Sequence, residues 1–146
     1  KKPIYNAYIL LSKIGDTLLH SECDNADVTV LASKDKNKTV IALAYASENF
    51  DHKLPSLREK IEISGISGNK KVTVYRIDDE HTNPYKLALR RGFGDTDYTE
   101  EELSILREEG EMKVYDSYES DFSENPFIDV EASDNALLLI EIDEVK

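Results

Sequence analysis

The stretch from Lys70 to Arg91, KKVTVYRIDDEHTNPYKLALRR, constrains the fold most, because it passes from a strand through an acidic turn into a capped helix. In Val72-Thr-Val-Tyr-Arg-Ile77 the β-branched and aromatic side chains favour an extended chain. Asn83-Pro84 then starts a helix: Asn accepts from a free backbone N–H of the first turn, and Pro at the first helical position loses no needed donor. Arg90 and Arg91 suit the carbonyl end of that helix, and Gly92 can take the left-handed cap. Before this stretch the chain reads as helix then strands, and after it as helix then strands again.

The chain has 146 residues, enough for one domain with a proper core and too few for two of ordinary size. Its net charge of −12 repels phosphate backbones and anionic lipid, so neither nucleic acid nor a membrane surface is expected as a partner. Cys23 is the only cysteine, which excludes an intrachain disulfide and a cysteine-built zinc site. No apolar run approaches the roughly 20 residues that span a bilayer, and no charged-then-apolar signal segment precedes the first helix. We expect a soluble protein, cytoplasmic rather than secreted. The chain begins with Lys1 and its only methionine is Met112, which points to a piece of a longer protein.

Pro3 to Ile14, PIYNAYILLSKI, reads as a helix closed by Gly15. Ile4, Ala7, Tyr8, Leu11 and Ile14 form one stripe at helical spacing, while Tyr5, Ile9 and Leu10 lie outside it. A helix apolar on most sides lies between two layers. Two readings stand: a central helix of this domain, or a helix that packs on a second domain. An exposed Tyr5, Ile9 and Leu10 face would favour self-association.

Leu18 to Cys23 and Asp27 to Ser33 read as strands, the second with Val28, Val30 and Ala32 alternating with polar residues. Lys34 to Lys38 makes a hairpin loop, and Thr39 to Ala46, TVIALAYA, is apolar on both faces and predicts a central strand. A polar connection from Ser47 to Ser56 leads to a strand at Lys60 to Ser64, with Ile61 and Ile63 inward. Past Gly92, Thr99-Glu-Glu-Glu102 is a capping box opening a second helix that ends near Gly110. Met112 to Phe127 is acidic and aromatic, and predicts irregular or edge structure. Ile128, Val130 and Ala132 alternate, Ser133 to Asn135 turns, and Ala136 to Ile142, ALLLIEI, is a closing core strand. Short strands separated by turn signals favour an antiparallel sandwich over a wound parallel sheet.

Few residues offer chemistry. Asp78, Asp79, Glu80 and His81 suggest a metal site or an acid/base pair, but adjacent carboxylates in a turn point into solvent in different directions, and we read them as a solvated turn. Asp95, Asp97, Glu100 and Glu101 lack the glycine and glutamate spacing of a calcium loop. His20, His52 and His81 are scattered, no Gly-x-Ser-x-Gly turn occurs, and Cys23 near His20 reads as a small buried residue beside a strand histidine. No catalytic, cofactor or metal residue is assigned. The one candidate ligand contact is an aromatic platform of Tyr115, Tyr118 and Phe122 on which a sugar could stack.

Tyr75-Arg-Ile-Asp78 followed by Glu80-His81-Thr82-Asn83-Pro84-Tyr85 resembles the segment after the catalytic barrel in glycoside hydrolase family 39, the β-xylosidases and their α-L-iduronidase relatives. Gly92 to Glu111 is similar to that family's glycine-containing loop and second helix, with Thr99-Glu100 in place of the usual Thr-Pro and Thr82 in place of Ser. The Pro3 to Gly15 helix resembles the family's last barrel helix. The resemblance implies a mainly β chain: an antiparallel β-sandwich over residues 16–146 with a two-helix excursion at about 83–110, and residues 1–15 left over from a missing (β/α)8 barrel. It implies a non-catalytic accessory domain that braces the barrel of its own parent chain and takes part in homo-oligomer contacts, the alternative being a stand-alone carbohydrate-binding module. Retaining chemistry needs two carboxyl groups about 5 Å apart. In the family both are barrel glutamates, the acid/base one after an asparagine, and no Asn-Glu pair occurs in this sequence.

Overall fold

Helix α1 runs from Pro3 to Leu11 and is followed by β1 (Thr17–Leu19), β2 (Val28–Asp35), β3 (Lys38–Tyr45), β4 (Leu57–Glu62) and β5 (Asn69–Ile77). Then come α2 (Pro84–Arg91), α3 (Glu100–Glu109), β6 (Val114–Asp121), β7 (Phe127–Ala132) and β8 (Ala136–Glu144). The structure is a computed structural model and describes residues 2–49 and 51–146; Lys1, and Phe50 in the polar connection, lie outside the described residues.

Six strands make one antiparallel sheet in the order β1-β2-β3-β8-β5-β6, and β4 pairs with β7 in a second. The central position of β8 follows from its composition, since only a strand apolar on both sides can be covered on both sides. One face of the large sheet carries Ile41, Leu43, Leu138, Ile140, Ile142 and Val72, and meets Leu57, Ile128, Val130 and Ala132 of the small sheet. The expected β-sandwich is therefore the observed architecture. The opposite face presents Val40, Ile77 and Leu139, which enclose Leu10 of α1. Leu10 is 0% exposed, a burial that stabilises by about 1.5–3 kcal/mol relative to leaving it in water.

The periodicity of α1 misassigns its faces. Asn6, Ala7 and Leu10 turn inward, while Ile4, Tyr5, Tyr8 and Leu11 turn outward. A helix apolar nearly all round does not declare which side is buried; here the decision comes from Asn6, whose Nδ2 donates to the Gly110 carbonyl at 2.8 Å in a buried contact. Gly15 is no left-handed cap. Its N–H donates to Ser33 Oγ at 2.9 Å, and a Cβ there would stand 2.5 Å from the Lys34 carbonyl carbon and oxygen. The glycine is needed for close approach of two backbones.

The helical excursion leaves the end of β5 and returns at the start of β6, so α2 and α3 are an insertion within an antiparallel strand pair. Its predicted caps are all present. Asn83 Oδ1 accepts from Lys86 N at 3.2 Å, Gly92 sits at φ 68°, and Thr99 and Glu102 form the reciprocal capping box. Met112 to Phe127 contains an edge strand, β6. The first edge strand is shorter than expected: β1 stops at Leu19, because the polar residues beyond it bury nothing against β2.

Candidate functional site

The turn after β5 is built around a buried carboxylate. The Asp78 side chain is 0% exposed. Its Oδ2 accepts from Arg76 Nε at 2.5 Å and Ser133 Oγ at 3.2 Å; its Oδ1 accepts from the backbone N–H groups of Glu80 and His81 and from His81 Nδ1, each at 2.8 Å. Arg76 reaches on to Tyr115 Oη at 3.3 Å, and its guanidinium lies 5.2 Å from the Tyr115 ring centroid. His81 meets the same ring edge-on, with centroids 5.2 Å apart. Thr82, forced to φ 56°, donates its hydroxyl to the Arg76 carbonyl at 3.0 Å. Asp78 and Arg76 together thus tie the end of β5 to the turn, the start of β6 and the β7–β8 connection.

Burial pushes the Asp78 carboxyl up, but the Glu80 N–H, His81 and Arg76 bonds together outweigh it and hold the group below the usual carboxylate range. Facing an ionised carboxylate, His81 Nδ1 carries the hydrogen. Among the described residues none hydrogen-bonds His81 Nε2. The bonds to Asp78 hold the turn against the end of β5. The expectation of three solvated carboxylates holds for Glu80, which is exposed, and for Asp79, which is half exposed and pairs with Lys86 at 3.2 Å; it fails for Asp78. Arg76 and Asp78, two apart at a strand end, point to the same side, and that spacing was the available signal.

The three candidate aromatics do not share one face. Phe122 is in the core at 3% exposure, while Tyr115 and Tyr118 on the β6 edge are 48% and 36% exposed. The Tyr115 ring is already engaged by Arg76 and His81. Cys23 lies exposed in the loop after β1, and His20 pairs with Glu22. Among the described residues no group of three or more His, Cys, Asp or Glu is placed to hold a metal ion, and no helix is long and apolar enough to cross a membrane.

A second charged centre carried no local signal. Glu141, on the α1 side of β8, is buried between Lys13 Nζ at 3.0 Å and Lys38 Nζ at 2.7 Å. Burial raises its carboxyl, and the two lysines more than reverse that, leaving it below the usual range. Lys13 also lies over the Tyr75 ring, 5.0 Å from its centroid.

The same sandwich, interrupted by two helices, occurs in solved sugar-cleaving enzymes. It matches a monomeric β-xylosidase from Caulobacter crescentus CB15 with a TM-score of 0.81 and 22% identity, covering 100% of this chain and 31% of that one. A bacterial orthologue of human α-L-iduronidase matches at TM-score 0.77 and 19% identity, over 99% of this chain and 27% of that one. A family 39 enzyme from Xanthomonas axonopodis pv. citri matches at 0.73 and 15%, over 99% and 31%. The family model for glycosyl hydrolases family 39 matches residues 1–116, and the chain belongs to that family. It spans less than a third of the length of these solved relatives. No curated protein matches it in sequence.

Proposed function

We propose that this chain is the non-catalytic accessory sandwich of a family 39 glycosidase, bracing a catalytic barrel that belongs to the same parent protein. The observation that carries this is the double-sided burial demand of α1. Its inner face is seated on the sheet through Leu10, yet Ile4 and Tyr8 remain 64% and 67% exposed, with Tyr5 and Leu11 beside them. Contiguous apolar surface of that kind marks a docking face. Residues 1–15 then bridge two layers, and residues 16–146 are the sandwich. The parent reaction is retaining hydrolysis of a β-xyloside or related glycoside, carried by two barrel glutamates. Asp78 is unsuited to either role, because it is ionised, enclosed and saturated with donors.

The purified chain is expected to leave aryl β-xylosides intact, and the reading frame encoding Lys1 is expected to continue upstream into a barrel with an Asn-Glu motif. Co-expressed with that barrel, the chain should form a complex that Tyr8→Asp disrupts. Turnover by the pure chain, or a complex indifferent to Tyr8→Asp, would sink the reading.

A further inference from the structure

At the end of β5 opposite Asp78, a cleft of about 260 Å³ opens between the β2–β3 turn and the loop at Gly65 to Ser67. Lys34, Lys36, Lys38 and Lys70 all line it, against Glu144 as the single lining acid. The whole chain has 30 acidic and 18 basic residues, so a surface opening drawn from it at random would carry more acid than base; this one reverses the ratio.

The four lysines are not equivalent. Lys70 Nζ is 2.6 Å from Glu144, and Lys38 Nζ is 2.7 Å from Glu141 and 3.8 Å from Asp143. Lys34 and Lys36 form no ion pair among the described residues. Two of the cations are thus fixed by neighbouring acids, while Lys34 and Lys36 are exposed and unpaired with any acid among the described residues. The Asn37 amide and the Ser67 hydroxyl supply neutral hydrogen-bonding groups along the same wall, and Ile66 supplies an apolar one. At physiological salt, charges farther than about 8 Å away are largely screened, so inside the cleft the local lysines outweigh the overall negative charge.

We propose that this cleft binds a small hydroxylated oxyanion, a sugar acid being the simplest, with Lys34 and Lys36 on the charged group and Asn37 and Ser67 on the hydroxyls. The assignment is independent of the accessory-domain reading, since every group it uses lies within this chain. Backbone amide shifts of the isotope-labelled chain test it, in titrations with glucuronate, glucose and sodium sulfate at matched ionic strength. Glucuronate is expected to give saturable shifts at Lys36, Asn37, Ile66 and Ser67, glucose none at the same concentrations, and sulfate weaker binding at the same amides. Lys34→Gln with Lys36→Gln should weaken glucuronate by about ten-fold, the scale of losing a charge-assisted bond. The exposed control pair Lys53→Gln with Lys113→Gln should leave the affinity unchanged. Absence of saturable shifts, equal binding of glucose, or an unchanged affinity in the Lys34/Lys36 variant would overturn the site. Sulfate binding as tightly as glucuronate would overturn the sugar-acid assignment. Lys53 and Lys113 do not line the cleft, and an otherwise unchanged spectrum verifies that each variant is folded.

Discussion

Arg76 Nε and Asp78 Oδ2 stand 2.5 Å apart at the end of β5, the carboxylate wholly enclosed and the guanidinium 10% exposed. Two residues apart on one side of a strand, they form an ion pair that the turn, β6 and the β7–β8 connection all contribute to satisfying. Removing one member therefore costs more than the pair adds. Asp78→Asn is expected to destabilise the chain by about 3 kcal/mol, because Arg76 keeps a buried charge that has lost its partner. A lowered denaturant midpoint at unchanged m-value would register it; a midpoint within error of the parent would contradict the enclosed-pair account.

The two depressed carboxyls set an acid limit. Asp78 and Glu141 both bind protons less readily in the folded chain than in the unfolded one. Their stabilisation is complete above the unfolded values of about 3.9 and 4.3, and is lost as pH falls through the lower folded values. Lys38, raised chiefly by its bond to Glu141, behaves in the opposite sense: its share is complete below the unfolded lysine value of about 10.4 and is lost as pH rises through the folded one. Thermal melts from pH 2 to 6 should fall steeply at the acid end, and Glu141→Gln should flatten that fall.

Gly15→Ala is expected to cost about 1–3 kcal/mol, the range for overpacking a filled site, since its new methyl group would meet the Lys34 backbone at 2.5 Å. Gly65→Ala makes the contrast. At φ 81° it meets nothing within 4 Å, and its cost is the left-handed backbone alone, about 1–2 kcal/mol. If the Gly15 cost comes from contact, Gly15→Ala should also speed hydrogen exchange in the last turn of α1, and Gly65→Ala should not.

The alternative reading, in which a sugar stacks on the β6 edge, is tested most directly at Tyr118, because the Tyr115 ring is held by Arg76 and His81. Tyr118→Ala should abolish any saturable response to xylo-oligosaccharides while shifting the melting temperature little, as expected for a partly exposed edge residue. A response that survives the substitution would remove this ring from consideration.

The parts of the fold written in short-range chemistry were legible. Asn83-Pro84, Gly92 and the Thr99–Glu102 box act within one helical turn, and the β8 run is apolar on both faces wherever it is placed. Sites assembled from distant segments were not. Glu141 looks like an exception inside ALLLIEI until Lys13 and Lys38 are brought to it by the sheet, and Asp78 looks like one of three solvated acids until Arg76, Ser133 and two backbone N–H groups close on it. The inward face of α1 was hidden for the same reason: Asn6 becomes a buried residue only once Gly110 supplies a carbonyl. The aromatic segment was legible as an edge, but not as one core ring, Phe122, and two surface rings.

The strand order has a consequence for assembly during synthesis. β8, formed by residues 136–144, lies between β3 and β5, so until it emerges the β1-β2-β3 meander and the β5–β6 pair are two unjoined pieces. Each then ends in a bare edge flanked by apolar side chains, the kind of surface on which nascent chains misassociate. The sheet is a wall whose keystone is β8, and premature termination before Ala136 would leave neither half able to close.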